Sequence, residues 1–177
     1  MPIQAGPQNH ADDQPVADPS HHVPWYVNLF ASGFLTGFFP VATGTAGSLL
    51  ALGIYMIPGF EHPFVIMPAC AVVLLFGSNA AAVMERRYGH DPAEVTIDEV
   101  LGMWLSLVLV PKSLAAAVIA FLIFRVLDIV KPWPARKFDD VRGGMGIMMD
   151  DVVVGVYTNL IVHGIVRLNL HTLLPFS

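Results

Sequence analysis

Charge is scarce in this sequence. Asp, Glu, Lys and Arg make up 13% of the 177 residues, against about one quarter in a soluble globular domain. Between Trp25 and Met84 the sole charged residue is Glu61, whereas residues 85–151 hold all but one of the nine basic residues and ten of the fourteen acidic ones. Basic residues are missing altogether from residues 1–24, so the charged start that a cleavable signal peptide needs is not expected there. One cysteine, Cys70, excludes an intrachain disulfide and reads as a packing residue. A net charge of −5, with bases interleaved among acids, argues against nucleic acid as a partner.

What is plentiful is apolar: 55% of residues are hydrophobic and the mean hydropathy is +0.63. The apolar segments run over residues 26–39, 48–57, 63–84, 100–124 and 152–166, separated by Pro40 with Gly44, Pro58 with Gly59, and the polar stretches 85–99 and 125–151. None alternates with a strand period, and backbone groups in lipid must be satisfied within their own segment, so all are expected as helices. The run 63–84 carries no charge, and at 1.5 Å per residue it is long enough for the roughly 30 Å hydrocarbon layer. The fold class expected is all-α: a polytopic integral membrane helical bundle with short, re-entrant or hairpin helices. Residues 1–24, rich in Pro, Asp, Gln and His, read as a disordered tail whose His10, His21 and His22 carry no assigned role.

Segment 100–124 has two readings. As one span it places Lys112 near the bilayer centre without a partner, at roughly 2.5–3.5 kcal/mol on insertion scales. As a hairpin broken at Pro111 and Lys112, it puts that turn at an interface and both charged stretches on one face. The hairpin is favoured, although helices of about 12 residues span the core only with thinning or tilt. Arg86, Arg87, Lys131, Arg136, Lys137 and Arg142 then share one side, which the positive-inside rule makes cytoplasmic. The 43–48 turn falls on that side too.

Four motifs sit at this face. T-I-D-E at 96–99 fits a capping box, with Thr96 as N-cap and Glu99 at N3, but capping has no need of Asp98. Adjacent carboxylates at an interface also suit a hard divalent cation. In F-R-V-L-D-I-V-K-P-W-P-A-R, 124–136, Arg125 with Asp128 and Asp128 with Lys131 are spaced as helical ion pairs. Lys131 and Arg136 suit anionic phosphate equally. R-G-G-M-G-I-M-M-D-D, 142–151, has glycines at 143, 144 and 146 that allow a backbone nest for phosphate oxygens. Asp150 and Asp151 follow where the next helix is expected to begin, so that one of them can cap it. G-T-A-G-S, 44–48, reads either as close helix packing or as Thr45 and Ser48 hydroxyls contributing to phosphate or metal.

Several phosphatase chemistries are excluded by absence. Phe76 stands where a cysteine-phosphatase loop built on Cys70 needs arginine, no D-x-D-x-T motif occurs, and the histidines are scattered. No G-K-S or G-K-T follows the glycines, so a nucleotide is not expected. Metal-assisted attack by water remains. A transporter is the rival from another class, but among the charged residues only Lys112 falls within an expected span.

Together D-E-V-L-G-M-W (98–104), 124–136, G-G-M-G-I-M-M-D-D (143–151) and 44–48 resemble the bacterial phosphatidylglycerophosphatase A family, over about residues 25–163. The resemblance implies a membrane phosphatase domain at 25–177. It further implies Mg2+-dependent hydrolysis of phosphatidylglycerophosphate to phosphatidylglycerol and inorganic phosphate, in the bacterial inner membrane with the active site facing the cytoplasm. By position it makes Asp98, Glu99, Asp128, Asp150 and Asp151 the catalytic acids, with Asp139 at another acidic position of the pattern, and Arg125, Lys131 and Arg136 the basic residues. The ligands expected for Mg2+ are Asp98, Glu99, Asp150 and Asp151. Phosphate is expected on Arg125, Lys131, Arg136, Gly143, Gly144 and Thr45. A phosphatase for another membrane phosphate is the rival within the enzyme class.

Overall fold

A computed structural model describes residues 17–168, which form seven α-helices and one 3-10 turn, with no strand among the described residues. The helices are α1 (Trp25–Ala31), α2 (Thr43–Tyr55), α3 (Pro63–Tyr88), α4 (Ile97–Leu107), α5 (Leu114–Val130), α6 (Ala135–Asp139) and α7 (Gly144–Arg167), with the 3-10 turn at Thr36–Phe38. Two of them, α3 and α7, are long and apolar enough to cross a membrane.

The apolar stretch 100–124 is not one helix. It ends α4 at Leu107 and restarts α5 at Leu114, with Ser113 Oγ accepting the Ala116 N–H at 3.1 Å as a side-chain N-cap. Lys112 at the turn donates to Ile57 O at 2.8 Å and Glu61 Oε2 at 2.7 Å, so the α2–α3 and α4–α5 connections meet at one end of the bundle. The carbonyls at the end of α4 are taken up by Asn159 of α7, whose Nδ2 donates to Ser106 O and Val108 O at 3.2 and 2.9 Å. Both polar stretches, 85–99 and 125–151, therefore lie at the other end.

Where expected and observed elements differ, tertiary packing explains it. The helix expected over 63–84 runs on to Tyr88 because Glu85 is buried against the start of α7, its Oε2 accepting the Gly143 N–H at 2.9 Å. The last helix begins at Gly144, not near Asp151, so Asp150 and Asp151 lie inside α7 and cap nothing. The capping box at 96–99 does not form. Thr96 is the N-cap residue, but its hydroxyl meets Thr36 Oγ1 at 2.9 Å and Glu99 turns elsewhere. Of segment 26–39, only Trp25–Ala31 is α-helical. In the tail expected to be disordered, residues 1–16 lie outside the described residues, and the Asp18 N–H donates to Arg86 O at 3.1 Å.

The core is the crossing of α4 with α7, at two glycines. A Cβ on Gly155 would stand 2.6 Å from Gly102 O, and one on Gly102 would stand 2.9 Å from Asp151 O and 2.6 Å from the Phe124 ring. Side chains would hold the backbones apart, so glycine at both positions brings α4 and α7 into direct backbone contact. Around this crossing pack Leu101, Met103, Phe124, Met148 and Val154, all fully buried. Phe64, Leu75, Phe76, Leu122, Ile129 and Leu160 are exposed on the outer surface.

Candidate active site

Each acid is placed by the helix that carries it. Asp98 and Glu99 occupy the first turn of α4, where carboxylates also complement the positive end of the helix dipole. Asp150 and Asp151 lie in the second turn of α7. The glycine crossing brings these two turns together, and Asp98, Asp150 and Asp151 are all buried, at 8%, 6% and 3% exposure. One ligand oxygen from each of Asp98, Glu99 and Asp151 lies within 4.8 Å of the others, an arrangement able to hold a metal ion. The acids face a cavity of about 200 Å³ lined also by Thr43, Asp91, Asp128 and Lys131.

Two cations reach this space, and each is already engaged by acids. Arg125 Nη1 donates to Asp128 Oδ2 at 2.7 Å, the ion pair expected from their spacing on α5. Lys131, expected to pair with Asp128, instead sits beyond the end of α5 with φ 46° and donates to Asp150 Oδ2 at 2.9 Å. Its Nζ is also 4.0 Å from Asp91 Oδ2. The other oxygen of Asp150 accepts the Asp151 N–H at 2.9 Å.

The trio nearest a common centre is left incomplete. Asp98 Oδ1, Glu99 Oε2 and Asp151 Oδ1 are buried without a hydrogen-bond partner, and so is the donor Arg125 Nε. An unpaired buried carboxylate costs several kcal/mol, so groups of one sign gathered this way demand a compensating charge. Oxygen donors of this kind suit a hard divalent cation, and the residues present fit one.

Of the residues singled out from sequence, Asp98, Glu99, Asp128, Asp150, Asp151 and Lys131 line the cavity, and Arg125 reaches it through Asp128. Asp150 is not part of the three-acid cluster, because Lys131 and the Asp151 amide occupy its oxygens. Arg136 is exposed and lines a neighbouring groove instead. Thr45, Gly143 and Gly144 are not among the residues lining the cavity. The Gly143 amide serves Glu85, and a Cβ on Gly144 would collide with Ser78 O, so these glycines seat α7 against α3. The Ser48 hydroxyl bonds back to Gly44 O at 2.8 Å. The side chain of Asp139 lies outside the described residues.

Sequence reasoning assigned no role to Thr43 or Asp91, and it read Gly44 only as a breaker and as part of the 44–48 motif. A Cβ on Gly44 would lie 2.2 Å from Glu99 Oε1 and 2.9 Å from Arg125 Nη1, so this glycine makes room for an acid and a base of the site. The 44–48 motif is thus close packing, as one reading had it, but packing against the site itself. Asp91 had a faint signal in the polar loop after α3, where it adopts φ 45°.

The family model for phosphatidylglycerophosphatase A matches residues 29–166, which contain every residue of the cavity. A Bacteroides thetaiotaomicron protein named provisionally as a phosphatidylinositol-3-phosphatase is 42% identical over 76% of this chain and 89% of its own. Phosphatidylglycerophosphatase A of Escherichia coli is 40% identical over 75% of this chain and 78% of its own, and that of Haemophilus influenzae is 33% identical over 78% and 88%. No solved structure matches. The chain belongs to the phosphatidylglycerophosphatase A family of phosphatases.

Proposed function

We propose that this protein removes the terminal phosphate of phosphatidylglycerophosphate, giving phosphatidylglycerol and inorganic phosphate for phospholipid synthesis, with Mg2+ as cofactor. The observation that carries the reading is the set of orphaned oxygens on Asp98, Glu99 and Asp151 beside the orphaned Arg125 Nε. Missing positive charge and a missing acceptor stand side by side, which suits a cation together with a phosphate. Asp98, Glu99 and Asp151 would hold the metal, whose chemistry when bound is to acidify water and neutralise phosphoryl oxygens. Asp150, expected from sequence as a fourth ligand, anchors Lys131 beside the cavity.

The chain's own groups account for the rest. Asp128 fixes the Arg125 guanidinium by a charge-assisted bond, leaving other N–H groups to grip a phosphate monoester. Lys131, steadied by Asp150 and close to Asp91, adds a point charge at the rim. The cavity is lined from α2, α4, α5, α7 and the loop before α4, and burial of Asp98, Asp150 and Asp151 strengthens these interactions. The exposed apolar side chains of α3, α5 and α7 favour a multi-pass position in the bacterial inner membrane, with the cavity at the cytoplasmic surface where Arg86, Arg87 and Arg142 cluster.

The provisional name of the Bacteroides relative supports a second reading, hydrolysis of phosphatidylinositol 3-phosphate. The two lipids share one chemistry: a phosphomonoester on a polyol that is joined through a phosphodiester to diacylglycerol. Phosphate release by the full chain in detergent micelles, measured with each lipid and with Mg2+ or EDTA, tests both. The proposal expects phosphatidylglycerophosphate to be preferred and EDTA to abolish turnover. Equal turnover in EDTA, or preference for the inositol lipid, overturns the corresponding part.

A further inference from the structure

Beside the acidic cavity lies a second, more open space of opposite character. It is a groove of about 500 Å³ lined by Lys131, Trp133, Arg136, Lys137 and Asp140, with Val130 and Pro132. Lys131 lines both spaces, so they adjoin at that side chain. The groove has three cations to one carboxylate, whereas the cavity collects six carboxylates against Lys131. Its shape is held by the fold. Tyr157 of α7 donates to Trp133 O at 3.1 Å, and Lys137 Nζ lies 5.6 Å from the centre of the Trp133 ring. The Trp133 ring is 71% exposed and continues into the exposed apolar end of α5, Ile129 and Val130, at 75% and 57%. An amphipathic ring in that setting belongs at a membrane–water interface.

We propose that this groove binds the phosphodiester of the lipid head group, and so selects substrates that carry a polyol between two phosphates. The inference rests on the functional reading above and deepens it. A monoester in the acidic cavity leaves the rest of the lipid to pass Lys131, the residue the two spaces share. The next charged group along such a lipid is the singly negative diester, and Arg136 and Lys137 are the cations available to it. Arg offers a planar fork to phosphate oxygens, while the exposed apolar surface of Trp133 and Ile129 leads toward the acyl chains. Phosphatidate, whose monoester sits directly on diacylglycerol, has no diester to place there.

The test uses the full chain in neutral detergent micelles with Mg2+, so that no other anionic lipid is present. For the double variant Arg136→Ala with Lys137→Ala, KM for phosphatidylglycerophosphate should rise about tenfold while kcat stays within about twofold. Inhibition by phosphatidylglycerol, which carries the diester alone, should weaken by the same factor. Phosphatidate, as substrate or as competitor, should be unaffected, and Arg136→Lys should fall between the wild type and Arg136→Ala. Phosphatidylinositol 3-phosphate should follow phosphatidylglycerophosphate, because the diester is common to both. Unchanged inhibition by phosphatidylglycerol, a loss confined to kcat, or an equal rise in KM for phosphatidate overturns the inference and leaves the functional reading standing. A wild-type chain that releases no phosphate from any diester-bearing lipid overturns both.

Discussion

The two ends of the helical bundle handle charge in opposite ways. At one end Glu61 and Lys112 form a pair at 2.7 Å, and Lys112 also satisfies Ile57 O, so acid and base match. At the other end Asp91, Asp98, Glu99, Asp128, Asp150 and Asp151 gather around Arg125 and Lys131, with Arg125 bonded to Asp128 and Lys131 held between Asp150 and Asp91. The first arrangement is complete as it stands. The second is a deficit of positive charge built into buried helices, an arrangement that could hold a metal ion.

The comparison breaks most sharply by neutralising one acid of the cluster. Asp98→Asn and Asp151→Asn should each lower kcat for phosphate release by about 10³-fold or more, as expected when a metal ligand is lost. A readout independent of turnover accompanies this. Mg2+ should raise the thermal midpoint of the wild-type chain and leave both variants unmoved, because only a ligand that binds the folded state stabilises it. Equal midpoint shifts in wild type and variants would remove the cluster from metal binding.

A smaller effect is expected from Gly44→Ala. Alanine favours the helix by about 1 kcal/mol over glycine, so α2 alone should gain. The added Cβ would nonetheless push Glu99 and Arg125 apart, and kcat/KM should drop by about 10- to 100-fold. Activity falling while the thermal midpoint holds or rises would separate the site from the scaffold; unchanged kcat/KM would show that the space at Gly44 is not needed.

The smallest effect belongs to the balanced end. Glu61→Gln should leave kcat within about twofold and move the thermal midpoint by no more than about 2 °C, since exposed ion pairs contribute little. Lys112 beside it, which donates a hydrogen bond, holds the Glu61 carboxyl below its ordinary value. A lowered folded pKa gives stability above the unfolded carboxylate value that is lost as pH falls through the folded one. The difference between wild type and Glu61→Gln should therefore be present at pH 7 and vanish on acidification. A difference that grew in acid would reverse that sign.

The turn at the balanced end was legible in the sequence, though not the Glu61 partner of Lys112, and the reason is local. Pro111 and Lys112 interrupt an apolar stretch, and a lone Lys among apolar residues needs a turn and a partner. The acids Asp98, Glu99, Asp150 and Asp151 were legible as residues, and the α4–α5 turn brings them to one end. Their roles were not. That Asp150 holds Lys131 while Asp151 joins Asp98 depends on which face of α7 meets α4, and a tertiary crossing decides this. Glycines mislead for the same reason: Gly143 and Gly144 offer a phosphate nest by conformation, yet Glu85 and Ser78 O take up their amide and their space. Gly44 matters through a neighbour far away in sequence, which no local pattern reports.

The contact between Gly102 and Gly155 has a consequence for how this site tolerates change. Because the two helices rest backbone against backbone, the gap between their acids is gauged by main-chain atoms and not by side-chain volume. The two glycines are thus the fixed datum from which the site is measured.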